Sequence, residues 1–161
     1  DARPLHAGDR ADAQVDPFAW AAGGANPAAM ERIWLLAGAV AGLSAVVAGA
    51  LIAHAWAPVR PDPQAMDQAR SALMMHVLHA PALLAVAWIA CRGGRLVNLA
   101  GLAFAVGLLL FCGAVYAQAG WSLRLPHVAP LGGTLLMLGW IFLGFAGLRG
   151  AGPAARPAKK R

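Results

Sequence analysis

Four long stretches without a charged side chain constrain this chain more than any other feature of its sequence. They cover residues 33–57, 71–91, 96–123 and 128–148. A helix of about 20 apolar residues, rising 1.5 Å per residue, spans about 30 Å of bilayer hydrocarbon. A soluble helical domain needs polar stripes on its outer helices, and about 25% of its residues are usually charged, against 12% here. The pattern predicts an all-α integral membrane protein, a four-helix bundle.

Prolines, glycines and charges between these stretches set the expected domain boundaries. A transmembrane domain is predicted over residues 32–149. Its helices are expected at about residues 33–57, 69–91, 96–119 and 131–148. Residues 1–31 are rich in Ala, Asp, Gly and Pro and lack a long apolar run, which predicts a disordered N-terminal extension. Residues 150–161 are predicted to be a basic cytoplasmic tail.

Basic residues are unevenly shared between the two ends of the predicted helices. With four spans, both termini and the turn at residues 92–95 lie on one side of the membrane. The other side carries only Arg60, Arg70 and Arg124, and the remaining ten of the 13 basic residues lie with the termini. The positive-inside rule therefore places both termini in the cytoplasm.

The net charge of +6 raises the question of nucleic acid as a partner. The basic residues lie at helix ends and in the tail, without interleaved aromatic side chains, which fits anionic lipid headgroups better. The lipid bilayer is therefore the expected partner, and nucleic acid is not.

Glycine is frequent in the predicted spans, where it lets helix backbones approach closely. The glycines expected to pack helices are Gly38, Gly42, Gly49, Gly113, Gly132, Gly133 and Gly139. Packing inside one bundle is the favoured interpretation. Contact with a second copy of the chain or with another membrane protein is the alternative.

Polar side chains within the spans are few, and they converge on the expected outer half of the bundle. His54, His76, His79 and Tyr116 form the candidate polar site. His76 and His79 are three residues apart, so they are expected to share one helix face. The spans contain no Asp or Glu, which argues against a proton- or cation-coupled transporter.

Two interpretations of these histidines remain open at this stage. They hydrogen-bond neighbouring helices, Tyr116 or the carbonyl that Pro81 releases near Val77, or they bind a metal ion or haem. An H-x-x-H pair without thiolates or carboxylates beside it is a weak metal signal, so no metal or cofactor is predicted. No motif of a known catalytic class is present, and the chain is not expected to be an enzyme.

Several ordered segments resemble the motifs of one known family. They are Gly49-Ala50 with Ala53-His54, Ala69-Arg70 with His79-Ala80 and Leu83-Leu84, Leu110-Phe111-Cys112-Gly113-Ala114-Val115-Tyr116, and Pro130-Leu131-Gly132-Gly133 with Gly139-Trp140. The chain resembles domain-of-unknown-function family 423, the YgdD-like small inner-membrane proteins of bacteria. The resemblance implies a four-helix inner-membrane protein and no particular reaction.

The resemblance also ranks the candidate site residues. The family usually has a Gln-like residue where His76 stands, an apolar residue in place of Pro81 and Ser in place of Cys112. It therefore implies that His54, His79 and Tyr116 are the positions with a shared role.

Three functions follow, in decreasing order of expectation. The first is a non-enzymatic accessory or assembly component of a membrane complex. The second is a protein that binds or transports a small molecule or lipid at an outer-face site lined by His54, His79 and Tyr116. The third is a metal- or haem-binding redox protein.

Overall fold

The computed structural model describes residues 26–59, 62–92 and 94–150. Within these ranges every regular element is helical and none is a strand. The helices are α1 (Pro27–Ala50), continued by a π-helical turn (Leu51–Trp56), α2 (Pro63–Ala90), α3 (Arg95–Trp121) and α4 (Val128–Gly150). All four are long and apolar enough to cross a membrane, which confirms the predicted all-α, four-span architecture.

The first two helices begin earlier than predicted because each is capped by a polar side chain followed by proline. Asn26 Oδ1 accepts from the Ala28 amide at 3.1 Å, and Pro27 opens α1. Asp62 likewise accepts from the amides of residues 64 and 65 at the start of α2. Such a side chain satisfies amides that lack an intrahelical partner, and proline is favoured in the first turn.

Two predicted boundaries are therefore wrong. Residues 27–31, assigned above to the disordered extension, are helical, and α2 begins six residues before its predicted start at residue 69. The remainder of the predicted extension, residues 1–25, lies outside the described residues. The predicted tail at 150–161 also lies outside them, apart from Gly150 at the end of α4.

The helices pack in chain order, with α2 and α3 in the middle. α1 packs against α2, α2 against α3, and α3 against α4, whereas α1 and α3 contact each other only sparsely. Phe104, Leu83 and Val86 are the largest fully buried side chains and mark the core between α2 and α3. The outward faces of α1 and α4 are apolar, as expected for helices facing lipid.

A π-helical turn keeps the C-terminal end of α1 in register with the core. Buried residues on α1 follow the alternating spacing of three and four that is typical of an α-helix, up to Ala48. Ile52 and Trp56 continue the buried face at spacings of four. The wider turn, closed by an i to i+5 bond from the Ala57 amide to the Ile52 carbonyl at 3.1 Å, permits this spacing.

Three of the predicted packing glycines lie at close helix approaches. A Cβ added at Gly38 or Gly139 would come within 2.5 Å of the Leu84 or Phe104 side chain, and one at Gly132 would collide with the backbone of Phe111. At Gly132 only a glycine allows the observed separation, because the obstacle is backbone. At Gly38 and Gly139 a larger residue would require the Leu84 or Phe104 side chain to move aside.

The other four predicted packing glycines divide into two kinds. Gly49 and Gly133 have ordinary contacts, at 3.4 Å to Leu73 and 3.7 Å to the Phe111 ring. Around Gly42 and Gly113 there is nothing within 4 Å of an added Cβ, so their assignment to helix packing is wrong. The reason is that α1 and α3 separate in the middle of the bundle.

Candidate functional site

Two tryptophans bridge α1 to α3 near the two ends of these helices. Trp34 Nε1 donates to Asn98 Oδ1 at 2.9 Å, and its ring lies so close to Gly101 that a Cβ there would be 2.7 Å away. Trp56 lies against Gly120 in the same way, at 2.6 Å. Each large ring needs a glycine opposite it, so the two helices are held together at these points and kept apart between them.

A cavity of about 380 Å³ lies between the two tryptophan contacts, with α2 behind it. Its lining residues come from α1, α2 and α3, and they are Ala37, Val40, Ala41, Ser44, His76, Leu83, Ala105, Leu108, Leu109, Gly113 and Tyr116. Val40 and Leu109 are 64% and 73% exposed, so the cavity opens outward where α1 and α3 diverge. A volume of this size is within the range of small-molecule sites.

Three side chains form a hydrogen-bonded row along this otherwise apolar cavity. Ser44 Oγ lies 3.2 Å from His76 Nε2, and the Tyr116 hydroxyl lies 3.4 Å from His76 Nδ1. Ser44 Oγ also lies 2.8 Å from the Val40 carbonyl oxygen and 3.1 Å from the Ala41 carbonyl oxygen, both of which are acceptors for its proton. The row therefore connects α1, α2 and α3 through polar groups.

Two proton arrangements fit this row, because a neutral imidazole has one N–H. In one, His76 Nε2–H donates to Ser44 Oγ and the Tyr116 hydroxyl donates to His76 Nδ1. In the other, Ser44 donates to His76 Nε2 and His76 Nδ1–H donates to the Tyr116 oxygen. In either arrangement the Tyr116 oxygen retains an acceptor lone pair beside the cavity.

His79 belongs to a different cluster on the other side of α2. Its Nδ1 lies 2.7 Å from the Met75 carbonyl oxygen and must donate to it, so its Nε2 accepts from Trp140 Nε1–H at 3.1 Å. The rings of His79, Phe104 and Trp140 contact one another edge to face, with centroids 5.1 to 5.9 Å apart. His79 is 3% exposed, and its two nitrogens are both used in joining α2 to α4.

The predicted gathering of His54, His79 and Tyr116 is therefore wrong in two ways. His54 lies on the π-helical turn with its side chain exposed. His76 and His79 do not share one neighbourhood, because a separation of three residues on a buried helix turns one toward α1 and the other toward α4. Of the predicted site residues, the structure brings together His76 and Tyr116 only.

Ser44 completes the row, and it was not among the predicted site residues. Ser44 lies beside Ala41, Ala45 and Ala48, which form the buried face of α1. The signal available in the sequence was the Ser44 hydroxyl next to a helix face of small residues. Nothing in the sequence indicated that α1 and α3 would separate beside it.

The arrangement also bears on the metal hypothesis. Among the described residues, no three His, Cys, Asp or Glu side chains lie close enough to hold one metal ion. Cys112, which is buried, donates its thiol proton to the Ala72 carbonyl at 3.3 Å and serves as a contact between α3 and α2. The geometry assembles a polar row inside an apolar cavity and not a ligand set.

Four apolar membrane-length helices around a small polar row define a small α-helical membrane protein. The chain belongs to the family described as "Protein of unknown function (DUF423)", whose model matches residues 48–133. The match covers the π-helical turn, α2, α3 and the start of α4. The family description assigns no activity.

The chain matches several known proteins over almost the whole length of each. A "UPF0382 membrane protein" of Haemophilus influenzae is 31% identical over 121 residues, which is 74% of this chain and 97% of that protein. A protein of the same name from Staphylococcus epidermidis is 30% identical over 75% of this chain and 99% of its own. "UPF0382 membrane protein YwdK" of Bacillus subtilis is 29% identical over 73% and 98%. No solved structure matches the chain significantly.

Proposed function

We propose that this protein is a non-enzymatic inner-membrane protein that binds a neutral lipid or small amphiphile in the cavity between α1 and α3. The observation that supports this most directly is the outward-opening cavity of about 380 Å³ with the Ser44–His76–Tyr116 row along it. The proposal retains the lipid-binding hypothesis but moves its site from His54 and His79 to Ser44 and His76.

The lining residues restrict the chemistry of the ligand. No Lys, Arg, Asp or Glu of the described ranges lines the cavity. A charged headgroup would therefore be desolvated there without a counter-ion from these residues, at a high free-energy cost. The open polar function is the acceptor oxygen of Tyr116. The ligand is therefore a neutral molecule with a hydroxyl or N–H donor and an apolar body that packs on side chains such as Val40 and Leu109.

The test uses dioctanoylglycerol, a neutral lipid with one hydroxyl, as the probe. Binding to the full chain is measured in a neutral detergent by native mass spectrometry. Gly113→Leu should fill the cavity without displacing helices, because an added Cβ meets nothing within 4 Å. Binding should fall at least about tenfold, equivalent to about 1.4 kcal/mol.

A matched variant controls for adding an apolar side chain to an open glycine. Gly144 on α4 also has nothing within 4 Å of an added Cβ, and it lies outside the cavity lining, so Gly144→Leu should bind as the original chain does. Tyr116→Phe should weaken binding about five- to tenfold, the usual value of one hydrogen bond. Equal binding by the Gly113→Leu and Gly144→Leu variants would contradict the proposed site.

A second candidate function is an accessory or assembly component of a membrane complex. It is supported by α4, of which only a small part is buried. Gly144 and Gly147 are exposed on the C-terminal half of α4, with nothing within 4 Å of an added Cβ. A helix surface without side chains at such positions lets another helix approach closely. Affinity purification from membranes should yield a partner that Gly144→Leu releases. A monodisperse chain without a partner in mild detergent would count against it.

A further inference from the structure

A second pocket lies at the opposite end of α3 from the π-helical turn, apart from the α1–α3 cavity. It has a volume of about 720 Å³ and is formed by the end of α2, the start of α3 and the end of α4. Three arginines line it: Arg92 in the turn after α2, Arg95 at the start of α3 and Arg149 near the end of α4. We call this pocket, with all of its lining residues, the arginine pocket.

No acidic side chain in the described part of the chain neutralises the charge of the arginine pocket. In the described part of the chain, the ion pair found is Arg70–Asp67, which involves none of the three arginines. The described acidic residues are Glu31, Asp62 and Asp67, and none of them lines the pocket. Guanidinium groups match the oxygens of a phosphate through paired hydrogen bonds.

The start of α3 adds a second, independent feature that favours an anion. Gly94 precedes α3 with a φ of 132°, and it provides no side-chain cap. No acidic residue lies in the first turn. The first amides of a helix lack intrahelical partners and carry partial positive charge, so an uncapped start favours a bound anion. Here these amides belong to pocket residues, beginning with Arg95.

The same pocket has an apolar wall suited to acyl chains. Trp88 is 67% exposed, and the Arg92 guanidinium carbon lies 5.1 Å from the centre of its ring. Leu96 and Ala146 line the pocket nearby. Tryptophan favours the headgroup level of a bilayer, and basic pockets between transmembrane helices at this level are suited to anionic lipid headgroups.

We infer that the arginine pocket binds the phosphate headgroup of an anionic phospholipid, with its acyl chains leaving along Trp88 and the outer faces of α2 and α4. The inference rests on the charge and position of these residues and not on the function proposed for the α1–α3 cavity.

The experiment measures lipid binding to the full chain in a neutral detergent by native mass spectrometry. The probes are phosphatidylglycerol, phosphatidylcholine with the same acyl chains, and inorganic phosphate. Phosphatidylglycerol should bind at least about tenfold more tightly than phosphatidylcholine, because only its net negative charge is complementary to three arginines. Inorganic phosphate should compete weakly, since it lacks the acyl chains.

Charge removal then locates the site. Each of Arg92→Gln, Arg95→Gln and Arg149→Gln should weaken phosphatidylglycerol binding about fivefold, and the triple variant about 100-fold. Arg124→Gln removes one charge from the loop between α3 and α4 and serves as the matched control, with no change expected. A triple lysine variant keeps the charge and should retain most of the affinity, which separates loss of charge from loss of fold.

Three outcomes would overturn the inference. The first is that phosphatidylglycerol and phosphatidylcholine bind the original chain equally well. The second is that the triple glutamine variant and the Arg124→Gln control bind phosphatidylglycerol equally well. The third is that inorganic phosphate competes with an affinity equal to that of the lipid. The last would assign the pocket to a free phosphate anion instead of a lipid.

Discussion

At the scale of single residues, hydrogen-bond partners decide the role of each buried histidine. His79 donates through Nδ1 to the Met75 carbonyl and accepts at Nε2 from Trp140. His76 instead contacts Ser44 through Nε2 and Tyr116 through Nδ1. The two histidines are three positions apart yet join different helices, because their neighbours on α1, α3 and α4 differ.

Replacing Trp140 with Phe should destabilise the protein. The change keeps an aromatic ring beside Phe104 but removes the donor to His79 Nε2, leaving a buried acceptor without a partner. Interhelical hydrogen bonds in membrane proteins are worth about 0.6 kcal/mol on average and about 1.7 at most, and the loss should fall in that range. Thermal unfolding in detergent measures it.

Trp88→Phe provides the comparison, since Trp88 is mostly exposed. It should change the unfolding free energy by less than about 0.5 kcal/mol. Equal destabilisation by the two substitutions would show that the His79–Trp140 bond contributes nothing specific.

At the scale of elements, glycines and a π-helical turn set the distances between helices. Gly132 brings α4 against the backbone of α3. Trp34 and Trp56 hold α1 to α3 at two points, and the second point depends on the turn that keeps Trp56 inward. The cavity follows from this combination, because large rings at the two contacts leave small side chains facing each other between them.

Gly132→Ala and Gly42→Ala should differ sharply in stability although sequence alone assigned both glycines to helix packing. A methyl at Gly132 meets the backbone of Phe111 and Gly107, which cannot move aside without shifting α3. Overpacking of this kind costs about 1–3 kcal/mol. A methyl at Gly42 meets nothing within 4 Å and should be neutral within about 0.5 kcal/mol.

Unfolding of both variants in the same detergent checks this difference. If Gly132→Ala were as stable as Gly42→Ala, the close contact between α3 and α4 would not exist in the membrane protein.

At the scale of the whole molecule, charge is distributed along the axis of the bundle. Arg92, Arg95 and Arg149 lie at the end where α2 and α4 finish and α3 begins. The opposite end of the described chain carries Asp62, Asp67, Arg70 and Arg124, so its charges balance. This asymmetry supports the proposal that both termini lie in the cytoplasm.

Reporter fusions test that orientation. Alkaline phosphatase, which folds only outside the cytoplasm, should be inactive when fused after residue 161 and active when fused in the loop after Arg124. A fluorescent protein that folds in the cytoplasm should give the opposite pattern. High phosphatase activity at the C-terminus would reverse the proposed topology.

The number and type of spanning elements depend on local information and could be predicted from sequence. A charge-free run of about 20 residues has few alternatives to a membrane helix, because lipid leaves backbone groups no partner except their own helix. The family motifs were also visible, including Gly132 and Gly139 at real close contacts. The early starts of α1 and α2 were missed, although Asn26-Pro27 and Asp62-Pro63 are recognisable caps.

The site depended on tertiary structure. Periodicity places His76 and His79 on adjacent parts of one helix, but only the positions of α1 and α4 decide that His76 meets Ser44 and Tyr116 while His79 meets Trp140. Likewise, nothing local distinguishes Gly113, beside a cavity, from Gly132, against a backbone. Sequence by itself determined how many helices cross the membrane. Their separation, set by large rings against glycines, decided where the protein has room for a ligand.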